Sequence, residues 1–120
     1  MSKPILCLDF DGVLHSYTSK YTTPDEVLDP PTPGTKEALL SYNEFFSLNV
    51  FSSRSHHLGG REAMFTWCRD HFGYDFALQH LNFPLHKPPA LVTLDDRALT
   101  FTGIWPDLAT LKAFRPWNKP

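Results

Sequence analysis

The sequence predicts an α/β domain built on a parallel sheet, and three features of its 120 residues carry that reading. Ile5, Leu6, Cys7 and Leu8 make an unbroken apolar run of strand length, which suits a strand covered on both faces. Ala90-Leu91-Val92-Thr93-Leu94 makes a second such run late in the chain. Between them Ala38, Leu39, Tyr42, Phe45 and Phe46 fall at the spacing of one helix face, and strands separated by helices assemble side by side in parallel.

Taken in order, the first strand ends in Asp9-Phe10-Asp11-Gly12, where glycine turns the chain cheaply and leaves two carboxylates at the strand's carboxyl end. Residues 12–32 follow as a polar flap whose His15, Tyr17, Lys20 and Tyr21 are candidate substrate contacts. Thr32 caps and Pro33 opens a helix over 33–47. Asn49-Val50-Phe51 is a short second strand running into Ser52-Ser53-Arg54-Ser55. A helix over 60–72 buries Met64, Trp67, Cys68, His71 and Phe72, and Gly73 stops it. Phe76-Ala77-Leu78 is expected as a third strand, 82–89 as a proline-bounded loop carrying His86 and Lys87, and 90–94 as a fourth, buried strand. Leu99-Thr100-Phe101-Thr102 alternates as a fifth strand would. A last helix over 106–114 turns Leu108 and Leu111 inward, and Trp117 in the tail 115–120 packs back on the domain.

Composition bounds the class. A chain of this length forms one domain, 1–120, with a single core. The net charge of -2 gives no basic field, so extended binding along a phosphate backbone is not indicated. Cys7 and Cys68 stand at apolar positions and read as buried reduced thiols. No signal peptide and no bilayer-length apolar run is evident, which makes a soluble cytoplasmic protein the expectation.

The chemistry begins with Asp9 and Asp11. Side chains alternate along a strand, so the two carboxylates are expected on one side with Phe10 turned into the packing. Ionised carboxylates this close repel unless one holds a proton or a cation joins them, and hard oxygen donors suit Mg²⁺. A solvated turn is the competing reading of Asp-x-Asp-Gly. A calcium loop does not fit, because Val13 and Lys20 stand where it needs ligands and a strand leads in. At the end of the second strand Ser52, or Ser53 one residue on, offers a hydroxyl to a phosphoryl oxygen, and Arg54 a guanidinium. Helix capping is the competing reading of that cluster. His56 and His57 sit at a rim with too few companions for a zinc site.

Asp9-Phe10-Asp11-Gly12-Val13-Leu14 after an apolar strand resembles the first motif of the haloacid dehalogenase superfamily, in the phosphatase branch that carries the second Asp. Ser52 with Arg54 resembles the second motif, Lys87 ahead of a buried strand the third, and Asp95-Asp96 the fourth. Asp95-Asp96-Arg97-Ala98 is similar to the corresponding stretch of small bacterial and phage phosphatases of that superfamily and of polynucleotide kinase-phosphatases. The resemblance spans 5–101. It implies a Rossmann-like three-layer sandwich of strand order 5-4-1-2-3 without a large cap.

The same resemblance implies Mg²⁺-dependent phosphomonoester hydrolysis through an aspartyl-phosphate. Asp9 is then the nucleophile and Asp11 the general acid, later base. Ser52 and Lys87 hold the transferring oxygens, with Gly12, Ser53 and Arg54 at the substrate. Mg²⁺ is then held by Asp9, the backbone carbonyl of Asp11 and one acid of the Asp95-Asp96 pair, with Asp96 favoured as the direct ligand and Asp95 reaching the metal through water or orienting Lys87. The expected substrate is a phosphorylated small molecule or nucleotide. A phosphorylated nucleic acid end is the second reading, and a non-catalytic module that binds a phosphorylated ligand the third.

Overall fold

A computed structural model describes residues 2–119. Its four parallel strands are β1 (Ile5–Leu8), β2 (Ser47–Val50), β3 (Leu81–Asn82) and β4 (Val92–Leu94), in the order β3-β2-β1-β4. The helices are α1 (Thr35–Tyr42), α2 (Gly60–Phe72), α3 (Tyr74–His80) and α4 (Leu108–Lys112). No helix among the described residues is long and apolar enough to cross a membrane.

β1 is central because its sequence tolerates cover on both faces. Leu6, Cys7 and Leu8 alternate in direction, yet all three are buried. Leu8 stands level with Val50 on one side and Leu94 on the other, so the residues that follow all three strands emerge at one edge of the sheet. Backbone bonds of 3.0 Å from the Asp9 N–H to the Leu94 carbonyl and from the Phe51 N–H to the Leu8 carbonyl hold that edge together. The core joins Leu6, Leu8, Phe10, Leu48 and Val50 to Leu39 of α1 and to Met64, Trp67, Cys68 and Phe72 of α2. Each such side chain contributes about 1.5–3 kcal/mol by leaving water. Cys7 and Cys68 are both buried free thiols.

Several expectations change, among them the buried strand over 90–94: β4 spans only Val92–Leu94, and as an edge strand it leaves all three residues exposed. The helix expected over 33–47 runs only from Thr35 to Tyr42, opened by Gly34 in the left-handed region rather than by Thr32. β2 starts early, with the Ser47 N–H bonded to the Pro4 carbonyl at 2.8 Å, and so the chain must leave the helix by Asn43. Phe45 of the expected stripe is accordingly exposed. Phe76-Ala77-Leu78 lies in α3, since a three-residue apolar run carries no period and Gly73 lets a second helix start where α2 ends. The third strand is the two-residue β3 that follows. Residues 99–102 pair with no strand, and α4 buries nothing, so Leu108 and Leu111 face outward. Within α2 the forecast of a buried His71 also fails, while Met64, Trp67, Cys68 and Phe72 are buried as expected.

The flap has no regular structure but is firmly tied. Trp67 of α2 donates its indole N–H to the Asp29 carbonyl at 2.9 Å, and Ser19 bonds both carboxylate oxygens of Asp29. The tail returns as expected. Trp117 donates to the Gly12 carbonyl at 2.7 Å, Asn118 to the Ser16 carbonyl at 2.9 Å, and Lys119 lies over the Tyr17 ring at 3.6 Å.

Candidate functional site

The strand register delivers Asp9 from the end of β1 and Asp95-Asp96 from the end of β4 to the same place. One carboxylate oxygen from each of the three lies within 4.8 Å of the others. Gly12 makes this approach possible. A Cβ there would stand 2.1 Å from Asp96 Oδ2, and the residue's φ of +82° is one that side chains other than glycine's rarely accept.

Asp96 is the informative member. Its side chain is 2% exposed, and neither oxygen has a hydrogen-bond partner; Arg97 Nε approaches only to 3.8 Å. A buried carboxylate without partners carries a penalty of several kcal/mol unless a proton or a cation joins it. Burial pushes the Asp9 carboxyl up to about 8; the Phe10 N–H bonded to it at 2.8 Å opposes the rise, and the neighbouring carboxylates of Asp95 and Asp96 add to it. Three converging carboxylates with two orphaned oxygens fit a hard divalent cation, which would remove the repulsion and supply the missing partner. Asp95 is exposed and turns one oxygen to the Arg97 N–H at 2.8 Å.

Asp11 does not share this cluster. Its carboxylate faces Arg54 and His15: Arg54 Nε donates to Oδ2 at 2.9 Å, the guanidinium's Nη2 to Oδ1 at 3.1 Å, and His15 Nδ1 lies 2.8 Å from Oδ1. The Asp29 N–H donates to His15 Nε2 at 3.0 Å, which fixes the tautomer with the proton on Nδ1 and makes His15 a third donor to Asp11. Burial works to raise the Asp11 carboxyl, but the bonds from His15 and Arg54 outweigh it and hold the group below its ordinary value. The expectation that the two carboxylates project to one site is therefore corrected, because the turn at Gly12 bends the chain before Asp11 can continue the strand's alternation. Asp11's carbonyl oxygen takes part in no backbone bond of the loop, whose turns use the carbonyls of Phe10, Gly12 and His15 instead.

Arg54, expected at the substrate, is 2% exposed and holds the flap. Beyond its paired bonds to Asp11, its Nη1 donates to the carbonyls of Thr23, Pro24 and Glu26 at 3.2, 3.0 and 2.8 Å. Ser52 is buried and caps the turn Ser53–His56: its Oγ accepts from the Arg54 N–H at 3.1 Å, and its own N–H donates to Ser55 Oγ at 3.1 Å. The capping reading of the serine cluster is thus realised, while Ser53 stays exposed. Lys87 is exposed. Burial raises the Cys7 thiol, a bond to Thr93 opposes, Asp9 adds to the rise, Lys87 offsets it and Asp95 adds again. His56 and His57 are exposed at the rim, with the His56 ring 6.1 Å from that of His86.

Sequence reasoning placed His15 among the substrate contacts and missed its bond to Asp11. The signal was available: a histidine four residues beyond an aspartate whose intervening glycine folds the chain back. The cleft on the flap is lined by Tyr17, Lys20, Tyr21 and Arg54 and by none of the three clustered acids.

Comparison of the chain with protein-family models, with curated proteins and with solved structures finds no match.

Proposed function

We propose that the chain is a phosphomonoester hydrolase of haloacid dehalogenase type that depends on a divalent cation, Mg²⁺ by the hardness of its donors. One observation carries the reading: a strand-end aspartate of the motif meets the later acidic pair around two buried carboxylate oxygens that lack partners. The four strands run β4-β1-β2-β3, the order in which the resemblance sets its first four strands; among the described residues no strand takes the fifth place of the expected 5-4-1-2-3.

Asp9, Asp95 and Asp96 would hold the cation, with the Asp11 backbone carbonyl as the further ligand that the resemblance implies. The bound cation supplies charge neutralisation between an anionic phosphate and the anionic nucleophile. Asp9 attacks phosphorus through one carboxylate oxygen as the ester oxygen departs, leaving an acyl phosphate on Asp9. The departing alkoxide takes a proton from Asp11. Water then attacks the phosphorus of the acyl phosphate, returns its proton to Asp11 and releases inorganic phosphate and the free Asp9 carboxylate. Asp11 is an ionised acceptor of three N–H groups before substrate binds, so the first turnover requires one donor to yield and the carboxylate to take up a proton from water; each later turnover reuses the proton returned by the hydrolytic water. Ser52, whose oxygen accepts from Arg54, keeps its hydroxyl hydrogen for a phosphoryl oxygen, and Lys87 adds positive charge at the same edge. The substrate is a phosphorylated small molecule or nucleotide.

Turnover of an aryl phosphate with added Mg²⁺ tests the scheme. Asp9→Asn should fall to background, Asp11→Asn by at least about a hundredfold, and a chelator should silence the parent protein. Parent-like turnover in either variant, or indifference to chelator, ends the reading.

A further inference from the structure

Between Leu91 and Leu111 the chain carries a run of large apolar side chains that nothing covers. Accessible surface totals 7778 Å² for a 13.7 kDa chain. A compact monomer of that mass exposes about 6,600 Å², so roughly 1,200 Å² is in excess. The radius of gyration, 14.9 Å, likewise exceeds the roughly 13.6 Å of a compact chain of this length. Much of the excess is in one stretch. Trp105 is 84% exposed, Ile104 79%, Leu108 71%, Leu91 69% and Phe101 55%. Leu99, Phe101, Trp105, Leu111 and Phe114 line one continuous groove of about 450 Å³.

Next to this arm lies an unfinished sheet. β4 is an edge strand, and all three of its residues are exposed, although 90–94 is as apolar as the buried β1. Edge strands that stay single are kept short, charged or interrupted by proline. β3, the opposite edge, is a two-residue stub. β4 is itself only three residues long, but it contains no charge and no proline, and among the described residues no further strand pairs with its outer side.

We propose that this face is the interface of a homodimer, in which the β4 edge and the 99–111 arm of one copy cover the same elements of a second. Area and charge select that occupant. A standard interface takes about 800 Å² from each partner, which the excess surface supplies. Asp107 is the only charged residue between Arg97 and Lys112, so a two-fold contact opposes no array of like charges. The same lack of cations leaves a nucleic acid nothing to neutralise it. In a closed two-fold contact each patch meets itself, and the surface that remains is ordinary.

Light scattering on the eluting 120-residue chain across a dilution series tests this. The parent should have the mass of two chains at high concentration, and Trp105→Glu and Leu108→Glu should each raise the dissociation constant roughly thirtyfold or more. Both positions are exposed within one chain, so circular dichroism should be unchanged and the thermal midpoint should match that of the parent diluted to single chains, separating lost association from lost folding. A parent that runs as one chain throughout, a dimer indifferent to both substitutions, or a single chain that instead sediments with neutral phospholipid vesicles would overturn the proposal. None of these outcomes bears on the hydrolase reading, which the aryl phosphate assay tests separately.

Discussion

Asp9 and Asp11 are the same residue type, two positions apart at the end of one strand, and the protein treats them in opposite ways. Asp9 faces Asp95 and Asp96, and burial lifts its carboxyl to about 8. Asp11 receives three N–H donors from Arg54 and His15 and is held below its ordinary value. Local sequence is nearly identical for the two. What differs is which distant segment arrives beside each: the end of β4 in one case, the turn after β2 and the flap in the other. A carboxylate among acids is poised for a cation or a proton, and one between a guanidinium and an imidazole has its anionic form stabilised.

The largest effect that sharpens this contrast lies on the Asp11 side. Arg54→Ala leaves the Asp11 carboxylate part-buried without its main partner and releases three flap carbonyls, so urea denaturation should show a loss of about 3–5 kcal/mol. A loss under about 1 kcal/mol would make the pair an ordinary surface bridge.

On the Asp9 side the sign reverses. Asp96→Asn removes a buried charge that has no partner, and without divalent cation above pH 8 it should stabilise the protein by about 1–3 kcal/mol. It should also abolish the rise in thermal midpoint that Mg²⁺ or Mn²⁺ gives the parent. Destabilisation without cation would mean that the two oxygens find partners within the protein.

The finest separation comes from pH. Asp9's pKa is raised on folding, so its contribution is complete below the unfolded value of about 4 and is lost as pH rises through about 8. Asp11's is lowered, so its contribution is complete above about 4 and is lost as pH falls. In chelator, parent stability should therefore sag between about pH 4 and pH 8, and the sag should vanish in Asp9→Asn while the acid limb remains. A flat profile across that interval in the parent would show that Asp9 is not proton-bound in the folded state.

Parts of this were readable in advance. Continuous apolar runs marked β1 and β4, and because parallel strands end level, the acids placed just after them were bound to meet. The two forecasts that misplaced strands were made on short segments. Phe76-Ala77-Leu78 has too few residues for a period to declare itself, and 99–102 alternates correctly but pairs with nothing. Arg54 beside Ser52 looked like a phosphate grip because sequence gives no view of the Thr23, Pro24 and Glu26 carbonyls, thirty-odd positions upstream, that consume its donors.

The sequence by itself determined the class of fold, the central strand and the identity of the acids that gather at its end, since those depend on hydrophobic run length and on glycine at a turn. Tertiary structure alone decided which carboxylate is paired and which is left without a partner, and whether apolar residues late in the chain are covered. Burial and hydrogen-bond partnership are supplied by segments far away in the chain, and no local pattern encodes where those segments come to rest.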